Sequence, residues 1–428
     1  MMETVRLRYQ VSELKTGPFG SALSADEYVE DAGIPLINPS DLDRGIVRCA
    51  DAAKVSEAVA ERLATYRAVA GDLLLARRGE LGRFGIVSAD QAGVLCGTGS
   101  LLVRPSPEKL NERFLGYVLQ TNRAREWLSL QSVGSTMENI SEAIVARLPI
   151  PKTSVTNQER IANFLDAQTA RIDALIAEKE RLFAILGEAL ESELLAALTH
   201  GLDGDAITRS SREPFIGPIP QHWKTIAWKR LGSFTGGTGF PIEAQGCTTE
   251  ELPFFKVKDL NAEDLLEPLC ETDNTISRST AVRLRATVFD SGTLTFAKVG
   301  AALFLLRVRR LGVPACLDNN MMAFTPNANA VDPLFAQLAL GLLPLAWLVN
   351  PGAVPSISAS QVGDVKVALP PLPEQRSITK QLIARHQKFR DVRLQVTEHI
   401  SRLREYRSSL ISAAVTGQID INSYNGAA

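Results

Sequence analysis

A long helical pattern that occurs twice is the feature that most constrains the fold of this chain of 428 residues. The segment LPIPKTSVTNQERIANFLDAQTARIDALIAEKERL begins at Leu148, and LPPLPEQRSITKQLIARHQKFRDVRLQVTEHISRL begins at Leu369. Each runs from a proline cluster through a glutamine into apolar residues three, four or seven positions apart, the spacing of a helix with one apolar seam. Gln158 aligns with Gln375, and the alignment continues without a gap to the end of both patterns. The chain therefore contains an internal duplication.

The segments that precede the two helical patterns repeat more loosely, in the same order. A glycine-rich turn comes first, a strand-like segment ending in an Asp-Leu pair follows, and a short apolar run ending in a basic residue comes third. The pairs are TGPFGS (16–21) with TGGTGFP (235–241), IPLINPSDL (34–42) with LPFFKVKDL (252–260), and LLARRG (74–79) with TFAKVG (295–300). Each half of the chain is thus predicted to be a globular unit followed by a long helix.

The alternation of short β-like runs with helical runs in both halves predicts an α+β fold. We expect two repeated units of mixed helices and strands, joined by two long helices that form an antiparallel coiled coil about a pseudo-two-fold axis. The expected boundaries are 1–151 for the first globular unit, 152–202 for the first long helix, 203–221 for a polar linker, 222–370 for the second globular unit, and 371–428 for the second long helix and a C-terminal tail.

Charge indicates that the two long helices are partners. Residues 158–198 contain eight acidic and four basic side chains, whereas residues 375–415 contain nine basic and three acidic ones. Opposite charges flanking an apolar seam are typical of paired helices. The seam positions expected in the first helix are Ile161, Leu165, Ile172, Leu175, Leu182 and Leu186. Those expected in the second are Ile378, Leu382, Phe389, Val392, Val396 and Leu403.

The sequence contains no complete motif of catalysis or cofactor binding. It has neither the phosphate-binding pattern G-x-x-x-x-G-K-[ST] nor the nucleophile pattern G-x-S-x-G. The segment GTGSLL (97–102) lacks the third glycine of a dinucleotide-binding loop. The five cysteines are scattered without a C-x-x-C pair, so no metal site is expected. We therefore expect a chain that is not an enzyme and holds no cofactor of its own.

Location and charge restrict the partners. The N-terminal residues MMETVRLRYQ lack the apolar stretch of a signal peptide, and the most apolar run, LFAQLALGLLPLAWLV, is interrupted by Gln337 and Pro344. We expect a cytoplasmic protein that does not contact a membrane. The net charge is −2, so any nucleic-acid face must be a local basic patch.

In its repeat and in several motifs the chain resembles the specificity subunit of type I restriction–modification enzymes. The resemblance rests on the two helix entries and on IGPIPQHWKTIAWKRLGSFTGGTGFP (216–241), which opens the second unit. GDLLLARRG (71–79) and GTLTFAKVG (292–300) are similar to a recurring motif of that family, a strand followed by a basic residue. The ordered combination of these motifs, twice in one chain, is more specific than any one of them.

The resemblance implies a role that explains the absent chemistry. A specificity subunit has no active site, and each globular unit is a target recognition domain that binds one half of a split, asymmetric site in double-stranded DNA. The helix pair is implied to be a spacer and a platform for two methyltransferase subunits. Those subunits, not this chain, bind AdoMet and methylate adenine, and motor–nuclease subunits join them for cleavage.

Candidate DNA-binding residues follow from matching positions and residue type. Phosphates are contacted by Lys, Arg and backbone N–H groups, and glycine lets the backbone approach closely. The candidates in the first half are Lys15, Gly17, Gly20, Arg77 and Arg78. The candidates in the second half are Gly236, Gly237, Thr238, Lys256, Lys258, Lys298, Arg307, Arg309 and Arg310.

Two other functions stay open at this point. One is a defence-associated adaptor or scaffold of the same architecture that does not recognise a DNA sequence. The other is an undetected DNA methyltransferase or nuclease. Only an enzyme would consume AdoMet or cut DNA when purified alone, and only a specificity subunit would bind DNA selectively and in a salt-sensitive manner with a modification subunit.

Overall fold

The structure, a computed structural model, describes residues 3–19, 22–30, 32–79, 82–132, 140–262, 264–350, 352 and 354–421. It divides into two units, the first holding residues 1–181 and 395–428 and the second holding residues 182–394. This division passes through both long helices, so the domain boundaries expected from the sequence stay predictions. Within the described ranges, none of the helices combines the length and the apolar character that crossing a membrane requires.

Helices and strands alternate in both units, which confirms the α+β class. The helices are α1 (Glu57–Arg62), α2 (Glu112–Gln120), α3 (Asn122–Ser132), α4 (Glu142–Val145), α5 (Val155–His200), α6 (Arg278–Arg283), α7 (Pro333–Leu340), α8 (Leu345–Leu348), α9 (Ala359–Asp364) and α10 (Leu372–Val415). The strands of the first unit are β1 (Thr4–Arg6), β2 (Val11–Thr16), β3 (Tyr28–Val29), β4 (Ile34–Ile37), β5 (Leu42–Asp43), β6 (Ile46–Val47), β7 (Ala53–Val55), β8 (Leu73–Ala76), β9 (Phe84–Ile86), β10 (Leu95–Cys96), β11 (Ser100–Pro105) and β12 (Pro149–Pro151). Those of the second are β13 (Thr208–Ser210), β14 (Pro218–Pro220), β15 (Lys224–Ala227), β16 (Gly232–Gly236), β17 (Leu252–Phe255), β18 (Thr275–Ile276), β19 (Leu294–Ala297), β20 (Arg309–Arg310), β21 (Cys316–Leu317), β22 (Met321–Pro326) and β23 (Lys366–Leu369).

The core of the first unit is an antiparallel sheet in the order β2-β11-β8-β9. All four residues of β8 are buried, because both faces of the sheet are covered. Side chains alternate along a strand, so Leu73 and Leu75 pack in the cluster that contains Phe114 of α2. Leu74 and Ala76 point to the opposite face and pack in the cluster that contains the second sheet, β10-β4-β7-β3.

The second unit repeats this architecture. Its antiparallel sheet has the order β16-β22-β19-β20, and a smaller sheet has the order β18-β17-β21. In both units the small sheet contains one parallel pair, β4 with β10 and β17 with β21. The first unit also begins in the same way as the second, since β1 pairs with β12 as β15 pairs with β23. The repeat that was weak in sequence is therefore clear in the main strand pairings, although the second sheet has four strands in the first unit and three in the second.

Local sequence explains where the two long helices begin and end. The Oγ of Ser154 accepts a hydrogen bond from the Asn157 amide at 3.3 Å, so Ser154 caps α5, which begins at Val155. Gly201 ends α5 with φ of 82°, and Gly417 follows α10 with φ of 69°. Both glycines adopt the left-handed conformation that commonly stops a helix.

In the first unit the beginning of α5 packs against the end of α10. Ile161 and Leu165 lie in one buried cluster with Leu410 and Val415. The acidic side of α5 meets the basic side of α10 where Asp173 bonds Arg407 at 2.9 Å and Glu180 bonds Arg404 at 3.1 Å. Residue numbers increase along one helix as they decrease along the other, so the two segments run antiparallel.

In the second unit the end of α5 packs against the beginning of α10. Phe183 stacks on Phe389 with ring centroids 5.1 Å apart, and Glu193 forms an ion pair with Arg385. Ala197 and Leu198 share a buried cluster with Ile378 and Leu382. The direction is again antiparallel. Exposed ion pairs contribute about 0–1 kcal/mol each, so they select the partner and the apolar contacts hold it.

The seam of α5 differs from the sequence prediction after Ile172. Leu175, Leu182 and Leu186 are 47%, 53% and 37% exposed, and Val392 of α10 is 38% exposed, so these four do not lie in the buried centre of the seam. The buried or half-buried positions are Ile176, Phe183, Leu190 and Leu194. Apolar residues stand next to each other at 175–176 and 182–183, so two parallel stripes satisfy the helical period. Of the other predicted positions, Ile161, Leu165, Ile172, Ile378 and Leu382 are buried, and Phe389, Val396 and Leu403 are half-buried.

The repeated glutamine joins each long helix to its globular unit. The Oε1 of Gln158 accepts a hydrogen bond from the Asn111 amide at 2.8 Å, and its Nε2 donates to the Lys109 carbonyl at 3.0 Å. The Oε1 of Gln375 accepts from the Asp332 amide at 2.8 Å. Asn111 and Asp332 are the N-caps of α2 and α7, so the duplicated glutamine fastens equivalent helix starts.

Replacing Gln158 or Gln375 with leucine should lower the free energy of unfolding by about 1–3 kcal/mol, because each change leaves a buried amide N–H without an acceptor. Chemical denaturation of each variant measures this loss. The matched control is Gln387→Leu, which changes an exposed glutamine of α10. Equal stability of all three variants would contradict the fastening role.

Candidate nucleic-acid interface

One end of the large sheet collects most of the sequence-predicted residues of the second unit. There β16 ends, β22 begins and β19 ends. The Lys298 amide donates to the Asn320 carbonyl at 2.9 Å, the Gly237 amide to the Met321 carbonyl at 3.2 Å, and the Thr238 amide to the Leu317 carbonyl at 2.8 Å. We call this set, 236–238, 298 and 317–320, the sheet-end site of the second unit.

The first unit has the same arrangement at the matching end of its sheet. The Arg77 amide donates to the Gly99 carbonyl at 2.9 Å, and the Gly17 amide to the Ser100 carbonyl at 2.9 Å. Arg77 therefore occupies the place of Lys298, and Gly17 the place of Gly237. The same backbone hydrogen bonds therefore place Arg77 and Lys298 at equivalent positions in the two units, although the residue types differ.

The glycines at matching positions of the two halves, Gly17 and Gly237, serve a contact within the protein. A β-carbon at Gly17 would lie 1.9 Å from the Gly97 carbonyl oxygen, and one at Gly237 would lie 2.1 Å from the Asp318 carbonyl oxygen. Glycine is therefore required at both positions for one loop to approach another, which differs from the phosphate approach expected from the sequence. Gly20 lies outside the described residues.

Lys298 is the best-placed cation of the second sheet-end site. Its Nζ lies 2.9 Å from the position that a β-carbon on Gly236 would take, so the side chain reaches across β22 toward β16. Among the described residues no hydrogen bond or ion pair engages this ammonium. In the first unit the Nε of Arg77 donates to the Ile140 carbonyl at 3.2 Å, and burial together with neighbouring Arg78 lowers the Arg77 pKa. Arg78 itself is exposed.

Several predicted cations are held by neighbours. Lys15 bonds the Thr65 carbonyl at 3.1 Å and lies over the Tyr66 ring. Lys256 bonds Gln245 and lies over the Phe240 ring, 5.1 Å from its centroid. These two ammonium groups would have to leave existing partners in order to bind a phosphate.

Two further cations form exposed contacts that a phosphate could replace. Lys258 pairs with Asp273 at 2.8 Å, and this hydrogen bond raises the Lys258 pKa. Arg307 donates to the Asn261 side chain. Lys258 is exposed and Arg307 is half-buried, and both remain candidates at the edge of the second unit.

Arg309 is a structural residue. It is 4% exposed, its Nη2 donates to the Glu267 carbonyl at 2.9 Å, and burial lowers its pKa. It is therefore removed from the DNA-contacting set, and its position on β20 next to Arg310, which is half-buried, explains why sequence grouped it with surface cations.

The structure adds two side chains that the sequence reasoning missed, Asn319 and Asn320. Both are exposed beside Lys298, and the Asn320 amide N–H donates to Asp318 Oδ1 at 2.8 Å, which orients the loop. The aligned segments CGTGS (96–100) and LDNNM (317–321) were the available signal. Asparagine is suited to DNA because its amide can make two hydrogen bonds to adenine.

We find no candidate catalytic centre in the described part of the chain. It contains no group of three or more His, Cys, Asp or Glu residues placed to hold a metal. Cys316 is buried in a strand, and burial raises its pKa to about 11, so its thiol is not a nucleophile near neutral pH.

Comparison with known proteins agrees with this geometry. Residues 5–182 match the family described as the type I restriction modification DNA specificity domain. The putative type I restriction enzyme MjaX specificity subunit of Methanocaldococcus jannaschii is 22% identical over 392 residues, which cover 88% of this chain and 86% of that protein. The first part of the chain thus matches the DNA specificity domain of type I systems, and the whole chain is similar to a type I specificity subunit.

Solved structures show the same fold over almost the whole chain. A chain from a structure of type I R-M complex assembly and conformational transition has a TM-score of 0.75 at 16% identity, covering 97% of this chain and 98% of that one. The HsdS subunit from Thermoanaerobacter tengcongensis has a TM-score of 0.56 at 16% identity, with 97% of each chain covered. At this identity the likeness concerns the fold.

Proposed function

We propose that this chain is the specificity subunit of a type I restriction–modification system and recognises a split, asymmetric site in double-stranded DNA, with each globular unit binding one half. The observation that carries the proposal is the duplicated sheet end. Equivalent backbone positions present Arg77 with Thr98 and Gly99 in one unit, and Lys298 with two asparagines in the other. The same frame with different side chains suits two half-sites of different sequence, because base edges are distinguished by side-chain donors and acceptors.

The long helices are proposed to bind two methyltransferase subunits, through which motor–nuclease subunits join. In the second unit Leu182, Ile185 and Leu186 are exposed on α5, and a shallow groove beside them is lined partly by Phe389 and Val392. Exposed contiguous apolar side chains commonly mark a protein interface. AdoMet would be bound by those subunits, and the assembly would act on chromosomal DNA in the cytoplasm.

Mapping methylated adenines in a host with and without this gene tests the proposal. The expected result is one motif, made of two short sequences separated by a gap, that is methylated only when the gene is present. Purified alone, the chain should neither consume AdoMet nor cut DNA. An unchanged methylation map in a host with active methyltransferase subunits would refute the proposal.

Lys298→Ala should weaken DNA binding and lower the slope of log affinity against log salt by about one, as expected for a lost phosphate contact. Its melting temperature should stay unchanged, because the ammonium has no described partner. Arg77→Ala should lower the salt slope in the same way through the other half-site, although it also removes the bond from Arg77 Nε to the Ile140 carbonyl. Binding measured over a series of salt concentrations checks both variants.

The contrast is Arg309→Ala, which removes a buried donor to two backbone carbonyls. It should lower the free energy of unfolding by about 1–3 kcal/mol and leave the salt slope of the folded protein unchanged. A wild-type salt slope for Lys298→Ala would show that Lys298 does not contact a phosphate.

A further inference from the structure

The hairpin between β19 and β20 carries an exposed apolar tip at the second sheet-end site. Residues 298–308 connect the two strands, and Ala301–Leu305 form a single 3-10 turn. Phe304 and Leu305 are each 57% exposed at this turn. Isolated exposed apolar residues are common, but two adjacent large ones on a hairpin tip need a reason.

The tip is held in one conformation. Gly300 has φ of 83° and ψ of −174°, a region open to glycine, and its amide donates to the Pro355 carbonyl at 2.8 Å. Leu306 has φ of 40°, which is strained for leucine. Leu303 between them is fully buried and anchors the turn in the core of the unit. Strain and anchoring together keep Phe304 and Leu305 at the surface.

We propose that Phe304 and Leu305 form a wedge that enters the DNA duplex and unstacks a base step in the half-site bound by the second unit. This inference rests on the proposed function. The tip lies at the same end of the sheet as Lys298 and the two asparagines, since it directly follows β19 and precedes β20. Arg307 on the same loop provides a cation beside the apolar pair. Apolar side chains next to cations are what DNA-kinking proteins insert between bases.

The first unit differs at this position. Its connection from β8 to β9 is shorter, running from 77 to 83, with the sequence RRGELGR. That segment contains one leucine, one acidic residue and no aromatic residue. The wedge therefore predicts an asymmetry, in which only the half-site bound by the second unit is unstacked.

The test uses the full chain assembled with its methyltransferase subunits and duplexes that carry the motif obtained from methylation mapping. Single 2-aminopurine substitutions placed along both half-sites report unstacking as a rise in fluorescence. We expect a rise of several-fold at one step of the second half-site away from the methylated adenine, and no rise in the first half-site except at the adenine that the methyltransferase extrudes. A rise confined to the methylated adenines would contradict the wedge. The double variant Phe304→Ser, Leu305→Ser should lose this signal and bind about tenfold more weakly, whereas Phe304→Trp should keep both properties.

The matched control is Val282→Ser, which changes a 78% exposed valine of α6 in the same unit and should leave fluorescence and affinity unchanged. Selective binding without a fluorescence rise at any position would overturn the wedge alone. A double variant that binds DNA normally but no longer co-purifies with the methyltransferase subunits would overturn it and assign the tip to a protein contact. Loss of site-selective binding by the wild-type assembly would overturn the proposed function and the wedge together.

Discussion

Replacing residues 222–368 with the corresponding unit of another specificity subunit should change one half of the methylated motif and leave the other half intact. The two junctions lie close together, because β15 and β23 pair with Lys224 opposite Leu369. The chain therefore enters and leaves the exchanged unit through one pair of neighbouring strands. A change of even two base pairs in the preferred half-site would cost roughly 2–6 kcal/mol on the original motif, enough to abolish its methylation.

The donor unit should keep histidine and tryptophan at positions 222 and 223. Both rings contact the Glu374 carboxylate, with Trp223 Nε1 at 3.0 Å and His222 Nε2 at 2.8 Å, and this contact joins the unit to the start of α10. Methylation mapping of the hybrid measures the outcome. A motif in which both halves change together would contradict the assignment of one half-site to each unit.

Leu165→Asp should be among the most damaging single changes in the chain. Leu165 is fully buried where α5 meets the end of α10, so the new carboxylate would have no water and no cation there. The expected loss is about 4 kcal/mol or more of unfolding free energy, which corresponds to a melting temperature lower by roughly 8–16 °C. Thermal unfolding followed by circular dichroism measures this shift.

Leu175→Asp is the matched control, because it makes the same substitution on the same helix at a position that is 47% exposed. The structure predicts a change within about 0.5 kcal/mol. This pair also separates the two possible seams of α5. Leu165 belongs to both stripes, so a severe loss in Leu175→Asp as well would show that the helix packs through the stripe that contains Leu175.

The duplication, the long helices and their partnership could be predicted from the sequence because they depend on periodic and cumulative signals. An apolar period repeated over many turns, and the opposite charges of 158–198 and 375–415, survive errors at single positions. The exact seam could not be predicted. Leu175 and Ile176 satisfy the helical period equally well, and packing against Ile411 and Leu410 chose Ile176.

The candidate site divides in the same manner. The sequence placed Arg77 opposite Lys298, because the strand before each is a continuous apolar run that aligns between the halves. It did not reveal that Arg309 is buried or that the asparagines of LDNN are exposed beside Lys298. Burial depends on residues distant in sequence, such as Leu260 and Glu267, whose carbonyls receive the Arg309 guanidinium.

By itself the sequence determined that this chain is a duplicated α+β protein, with two like units, two oppositely charged helices and no catalytic motif. Those properties follow from local periodicity, composition and internal repetition, which can be read without knowing which distant segments pack together. The tertiary structure alone decided which cations are free, which glycines permit a loop to approach another, and which apolar residues face outward at Phe304 and Leu305. Each of these depends on the sheet end, where segments from four strands meet. The distance between a side chain and residues far away in sequence is fixed only when the chain folds.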